Sequence, residues 1–189
     1  MRKKLSAKAI LIPTISLFLI CLVVTALLAL TDNVTAEKIA ENEENNKQAS
    51  MRTVLPDAAD FEEIEADVLY LGKDQSGNPI GYAISTATQG YGGQVKVMTG
   101  IGMDGKIVGV DVFYNDDETP GLGKNTSNEK FREQYKGLNA DSEIAVSKDS
   151  ADGQTVDAVT SATISSRAVT KAVNEACEKY NEYTAKEAK

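Results

Sequence analysis

The chain has 189 residues, enough for one globular domain and an anchor and hardly more. Arg2, Lys3, Lys4 and Lys8 are the only charges before Asp32, so the first 31 residues carry +4, and 16 basic against 28 acidic residues leave −12 on the remainder. That acidic balance excludes nucleic acid as an expected partner, and the absence of histidine, with Cys21 and Cys177 outside any CxxC spacing, argues against a metal, an iron–sulfur centre or a disulfide.

Between Lys8 and Asp32 run 23 uncharged residues, Ala9 to Thr31. As a helix rising about 1.5 Å per residue they reach roughly 34 Å, enough to cross a hydrocarbon core of about 30 Å. A cleaved signal peptide carries a shorter apolar stretch of about 7–15 residues, so a retained transmembrane helix over 9–31 is expected. The basic flank, 1–8, is expected in the cytoplasm and everything after the helix outside. Residues 32–54 are acidic and poor in large apolar side chains, and read as a polar stalk or frayed helix. The folded domain is expected over 55–189.

Phe61, Ile64 and Val68 have the spacing of one face of a short first helix. Val68 to Lys73 and Ile80 to Thr88 read as strands around the turn-forming DQSGNP. Gln94 to Gly102 and Lys106 to Tyr114 read as a hairpin around Met103-Asp104-Gly105, with Val108, Val110 and Val112 alternating as in a half-buried strand. Ser127 to Tyr135 opens like a helix capped by Ser127. Ile144 to Ser147 and Thr155 to Val159 have the look of short strands. Val169, Val173, Ala176 and Tyr180 form one apolar stripe of a long C-terminal helix. The fold class is therefore α+β, with an antiparallel sheet.

Two segments ask for more than a surface loop. In DAVTSATISSR (157–167), Thr160, Ser161, Thr163, Ser165 and Ser166 put five hydroxyls in seven positions at the start of the C-terminal helix. A helix cap needs one hydroxyl, and a helix N-terminus also offers free amides and a positive dipole end to a phosphate. The residues alone leave capping and phosphate binding both open. In ETPGLG (118–123), Pro120-Gly121 suits a type II turn and Gly123 admits a close backbone approach, while a plain tight turn remains an alternative. Gln89 to Gly93 (QGYGG) is a flexible connection in which Tyr91 offers a ring to a flat ligand.

Together these segments resemble a known family. DAVTSATISSRAV is similar to the flavinylation motif of the FMN-binding domain shared by the G subunit of the Rnf electron-transport complex and the C subunit of the sodium-translocating NADH:quinone reductase. Asp157, Thr160, Ala162 and Thr163 match that motif, and Ser161 stands where the family usually has glycine. ETPGLG with Lys124 resembles the loop that packs on the isoalloxazine ring. Asn115-Asp116-Asp117 stands where a histidine is common. The short length and the SSRAV ending favour the Rnf component, and a component like the reductase's C subunit is the alternative.

The resemblance implies FMN joined through its phosphate to Thr163, with Thr160, Ser161, Ala162, Glu118, Thr119, Leu122, Gly123, Lys124 and Tyr91 around the cofactor. It implies a separate flavin transferase that recognises Asp157, and no catalytic residue or metal ligand in this chain. The expected role is an electron relay in an ion-translocating ferredoxin:NAD oxidoreductase, among other membrane and peripheral subunits. A non-redox binding module or a structural tether would use the same loops without a flavin.

Overall fold

The structure, a computed structural model, describes residues 7–147, 149 and 153–187. The basic segment expected over 1–8 lies outside the described residues except for its last two positions. The chain divides into two compact units, 1–44 and 45–189.

Helix α1 covers Ala7–Val54. Its apolar residues between Ile10 and Leu30 are exposed all around the helix, as lipid or neighbouring helices would require, and it is the one described helix long and apolar enough to cross a membrane. Helix continues through 32–54, where a stalk or frayed helix was expected. The segment lacks Gly and Pro and holds four Glu, three Ala and two Lys, all strong helix formers, so poverty in large apolar residues did not prevent it.

The second unit is built on a five-stranded antiparallel meander, β1 (Asp60–Glu65), β2 (Leu69–Lys73), β3 (Pro79–Gln89), β4 (Gln94–Gly102) and β5 (Ile107–Tyr114), with the strands in chain order. The short helix expected from Phe61, Ile64 and Val68 is instead strand β1 and the turn after it. Phe61 and Ile64, three apart, fall on opposite faces of the strand and join different core clusters. After β5 come a 3-10 turn at Gly123–Ser127, the short helix α2 (Glu129–Arg132) and a second 3-10 turn at Glu133–Tyr135. The cap position of α2 is Asn128; the Ser127 hydroxyl expected there donates instead to the Lys124 carbonyl. Strands β6 (Ile144–Val146) and β7 (Gln154–Val156) form a small parallel pair, and α3 covers Thr163–Glu187.

Both faces of the sheet are covered. Helix α3 lays Val169, Val173, Ala176 and Tyr180 on β3 and β4, as its periodicity predicts, and each buried valine contributes roughly 1.5–3 kcal/mol. Thr86 and Thr88 of β3 donate to the Ala172 and Ala168 carbonyls at 3.0 and 2.8 Å, which sets the helix's position along the strand. The other face receives the end of α1, with Met51, Val54 and Leu55 packed on Tyr70, Ala83 and Met98. Backbone meets backbone there: a Cβ on Gly100 would sit 2.5 Å from the Val54 carbonyl oxygen. Lys47 and Ser50 reinforce this docking through Asp67 at 2.5 Å and through Asp111, which also pairs with Arg132.

Candidate functional site

Three segments far apart in sequence meet at the N-terminal end of α3. The loop between β3 and β4 brings Tyr91. The loop after β5 brings Glu118, Thr119, Leu122 and Gly123, and the start of α3 brings Ser161 to Ser165. They line a cavity of about 410 Å³, within the range of about 300–1,000 Å³ usual for small-molecule sites.

One buried side chain ties these segments together. Glu118 is 2% exposed, and one carboxylate oxygen accepts from the Tyr91 amide at 2.7 Å and the Gly92 amide at 3.4 Å. The other accepts from the Ser165 hydroxyl at 2.8 Å. A Cβ on Gly90 or Gly123 would stand 2.1 or 1.9 Å from those oxygens, so both positions need glycine for space. Gly121 has φ +77° with nothing near it, as a type II turn demands.

The five hydroxyls of 160–166 divide by role. Ser165 and Ser166 are buried: Ser165 is bonded to Glu118, while Ser166 donates to the Ala162 carbonyl at 2.9 Å and accepts from the Val159 amide at 3.0 Å. Thr160 and Ser161 are exposed. Thr163 is half-buried at the first position of a 25-residue helix, in the cavity lining. The leading amides of such a helix are short of intrahelical acceptors and favour a phosphate. Tyr91, Leu122 and Ile164, exposed by 70%, 40% and 52%, give the mouth of the cavity apolar surface suited to a flat ring. Phosphate-favouring amides beside an apolar mouth fit the two ends of a flavin mononucleotide.

Of the residues expected around a cofactor, Tyr91, Glu118, Thr119, Leu122, Gly123, Ser161, Ala162 and Thr163 are brought together. Thr160 lies in a neighbouring recess of about 740 Å³, which shares Leu122 and Ser161 with the cavity and includes Asp157. Lys124 lines neither space; its ammonium pairs with Asp116 at 3.3 Å. Asp157 is exposed, and its carboxylate accepts from the Ser147 hydroxyl at 2.7 Å. Ile164 and Ser165 also line the cavity, beyond the set expected around a cofactor; Ser165 is one of the five hydroxyls weighed for a phosphate, and only closeness to Thr163 in the chain could have pointed to Ile164.

Comparison with known proteins is consistent with this geometry. A family model described as FMN-binding domain matches residues 90–178, which include every cavity residue, and one described as RnfG N-terminal region matches 1–54. The chain is similar to the G subunit of the proton-translocating ferredoxin:NAD(+) oxidoreductase complex of Clostridium ljungdahlii, 32% identical over 171 residues, or 90% of this chain and 89% of that one. It is also similar to the G subunit of the Na(+)-translocating ferredoxin:NAD(+) oxidoreductase complex of Acetobacterium woodii, 37% identical over 185 residues, 87% of this chain and 88% of that one. Among solved structures, the C subunit of the Na(+)-translocating NADH-quinone reductase of Parabacteroides distasonis shares the fold, with a TM-score of 0.60 at 18% identity over 79% of this chain and 95% of that one.

Proposed function

Since the chain belongs to the family of G subunits of ion-translocating ferredoxin:NAD(+) oxidoreductase complexes, we propose that it is the membrane-anchored flavoprotein of such a complex, relaying electrons through FMN carried as a phosphoester on Thr163. The observation that carries the covalent reading is the position of Thr163, a hydroxyl at the first turn of α3 in the wall of a cavity with an apolar mouth. A phosphoester there uses the cofactor's own phosphate as tether and leaves the ring free.

When bound, the flavin supplies the reversible redox chemistry, and the chain supplies placement and surroundings. Thr163 would hold the phosphate end, at the start of α3 where the leading amides favour an anion. Tyr91, Leu122 and Ile164 at the mouth would hold the ring, with Thr119 and Gly123 in the wall. Attachment falls to a separate flavin transferase that recognises Asp157, a role for which exposure suits this residue. One apolar helix cannot by itself build an ion pathway, so ion movement and the chemistry of ferredoxin and NAD(+) belong to other subunits. The helix anchors the chain among them, with its N-terminus in the cytoplasm and the flavin outside.

Intact mass and in-gel fluorescence after SDS denaturation test the attachment. The native chain is expected to carry one FMN increment and to fluoresce, and Thr163→Ala to do neither. Loss of the increment in Thr160→Ala alone moves the acceptor, and a native chain without any increment removes the covalent reading.

A further inference from the structure

Glu118 is a buried carboxylate in the cavity wall, and no Lys or Arg forms an ion pair with it among the described residues. Its partners are the Tyr91 and Gly92 amides and the Ser165 hydroxyl, all donors. They tie the loop after β3, the loop after β5 and the first turn of α3 into one wall. Gly90 and Gly123 leave room for it, since a Cβ at either would overlap a carboxylate oxygen.

Hydrogen bonding alone does not call for a charge at this place. A glutamine has the same length. Its amide oxygen accepts from the two backbone amides, and its NH2 donates to the Ser165 oxygen once that hydroxyl rotates. Burying an ion where a neutral isostere makes the same bonds is unfavourable unless the charge acts on something else. The space it faces is the cavity.

We propose that Glu118 is the positioning residue of this site and also its fixed negative charge: its hydrogen bonds hold three cavity walls together, and its charge holds the midpoint potential of the bound flavin down. This rests on the cavity being the FMN site. Reduction adds negative charge to the ring system, and a carboxylate close by, screened little by water, opposes it. Glu118 therefore acts on the flavin through the field and through the wall, with its carboxylate oxygens bonded to the protein.

Three measurements on the full-length, flavin-loaded protein in detergent test this: intact mass, thermal melting and spectroelectrochemical midpoint potential, for the native chain, Glu118→Gln and Ser165→Ala. Glu118→Gln is expected to keep the FMN increment, to melt within a few degrees of the native chain, and to shift the potential to a more positive value. Ser165→Ala keeps the charge and loses one tie, so it is expected to melt lower with a smaller change of potential. A loaded Glu118→Gln protein with the native potential, or a more negative one, overturns the electrostatic role. Failure of Glu118→Gln to fold or to load overturns the division of labour, because the neutral isostere makes the same bonds. A native chain without FMN is a different result: it removes the flavin reading and is seen in the mass before any potential is measured.

Discussion

Gln134 holds the backbone of Asp157 from both sides: its amide oxygen accepts from the Asp157 N–H at 2.7 Å, and its NH2 donates to the Asp157 carbonyl at 3.2 Å. The second 3-10 turn thereby sets the entry to the 157–163 motif 23 residues later. The Asp157 carboxylate is left to Ser147 and to the surface. Gln134→Ala is expected to lower stability by about 1 kcal/mol, since both bonds are near solvent, and to leave part of the protein without flavin. Full FMN loading at the native rate in that variant would mean that loading does not need the segment held.

The two glycines of 118–123 differ in purpose, and alanine separates them. At Gly121 the cost is conformational, from φ +77° with no neighbour within 4 Å, and Gly121→Ala should lose about 1–2 kcal/mol. At Gly123 the cost is steric, because the new methyl meets Glu118 at 1.9 Å and the Ser165 hydroxyl at 2.8 Å. Gly123→Ala should lose about 1–3 kcal/mol and also change the flavin absorption spectrum, whereas Gly121→Ala leaves the spectrum near native. Equal spectra in the two variants would place Gly123 outside the cofactor's surroundings.

The elements with a strong local signature were legible: the β4–β5 hairpin from Asp-Gly and alternating valines, and α3 from its apolar stripe. Strand β1 was not, because a spacing of three fits one face of a helix or two faces of a strand, and only the layers on both sides decide. The helical run of 32–54 was obscured for another reason, since it depends on helix propensity and on docking of Val54 against Gly100, not on a stripe. The loops of the site were legible by their glycines and hydroxyls. The Glu118–Ser165 contact was not, because 47 residues separate its ends and neither has a local mark of the other.

At position 161 the family resemblance puts glycine, and here Ser161 adopts φ +62°, a left-handed conformation that disfavours a Cβ. Ser161→Gly relieves about 1–2 kcal/mol of that strain and returns roughly 0.5–1 kcal/mol through the freer unfolded chain, for a small net gain in stability. Ser161→Val should lose about 1–2 kcal/mol, as a branched side chain tolerates this region least. Urea unfolding of the two variants checks the order, and a valine variant as stable as the glycine one would contradict it.

Alkaline pH should weaken the second unit through groups buried between α3 and the rest of the unit. Burial, then the charges of Glu178 and Asp141, pushes the Cys177 thiol from 9.0 up to about 11. Burial and Glu187 push the Tyr82 hydroxyl from 10.0 up to about 12. A raised pKa in the folded state means that the unfolded chain releases its proton first. The contribution to stability is thus complete below about pH 9 and lost as pH rises through about 11 to 12. Unfolding midpoints in urea should fall between pH 8 and pH 11, and Cys177→Ala should remove part of the fall. Cys177 should also resist maleimide at pH 8 until urea is added.

The membrane orientation is expected from charge. Arg2, Lys3, Lys4 and Lys8 precede the uncharged run from Ala9 to Thr31, and the rest of the chain is acidic. Lys and Arg beside a helix end resist translocation, while Asp and Glu hinder it little, so the N-terminus is expected to stay in the cytoplasm and the flavin domain to cross. A covalent tether agrees with that side, because a cofactor released outside the cell is lost. Gln48 is exposed on α1 in the flavin-carrying unit, and Ser6, outside the described residues, precedes the run. With Cys21 and Cys177 replaced by serine, Gln48→Cys should react with an impermeant maleimide in intact cells and Ser6→Cys only after lysis. The opposite pattern would put the flavin domain in the cytoplasm and end the case for an electron relay on the outer face.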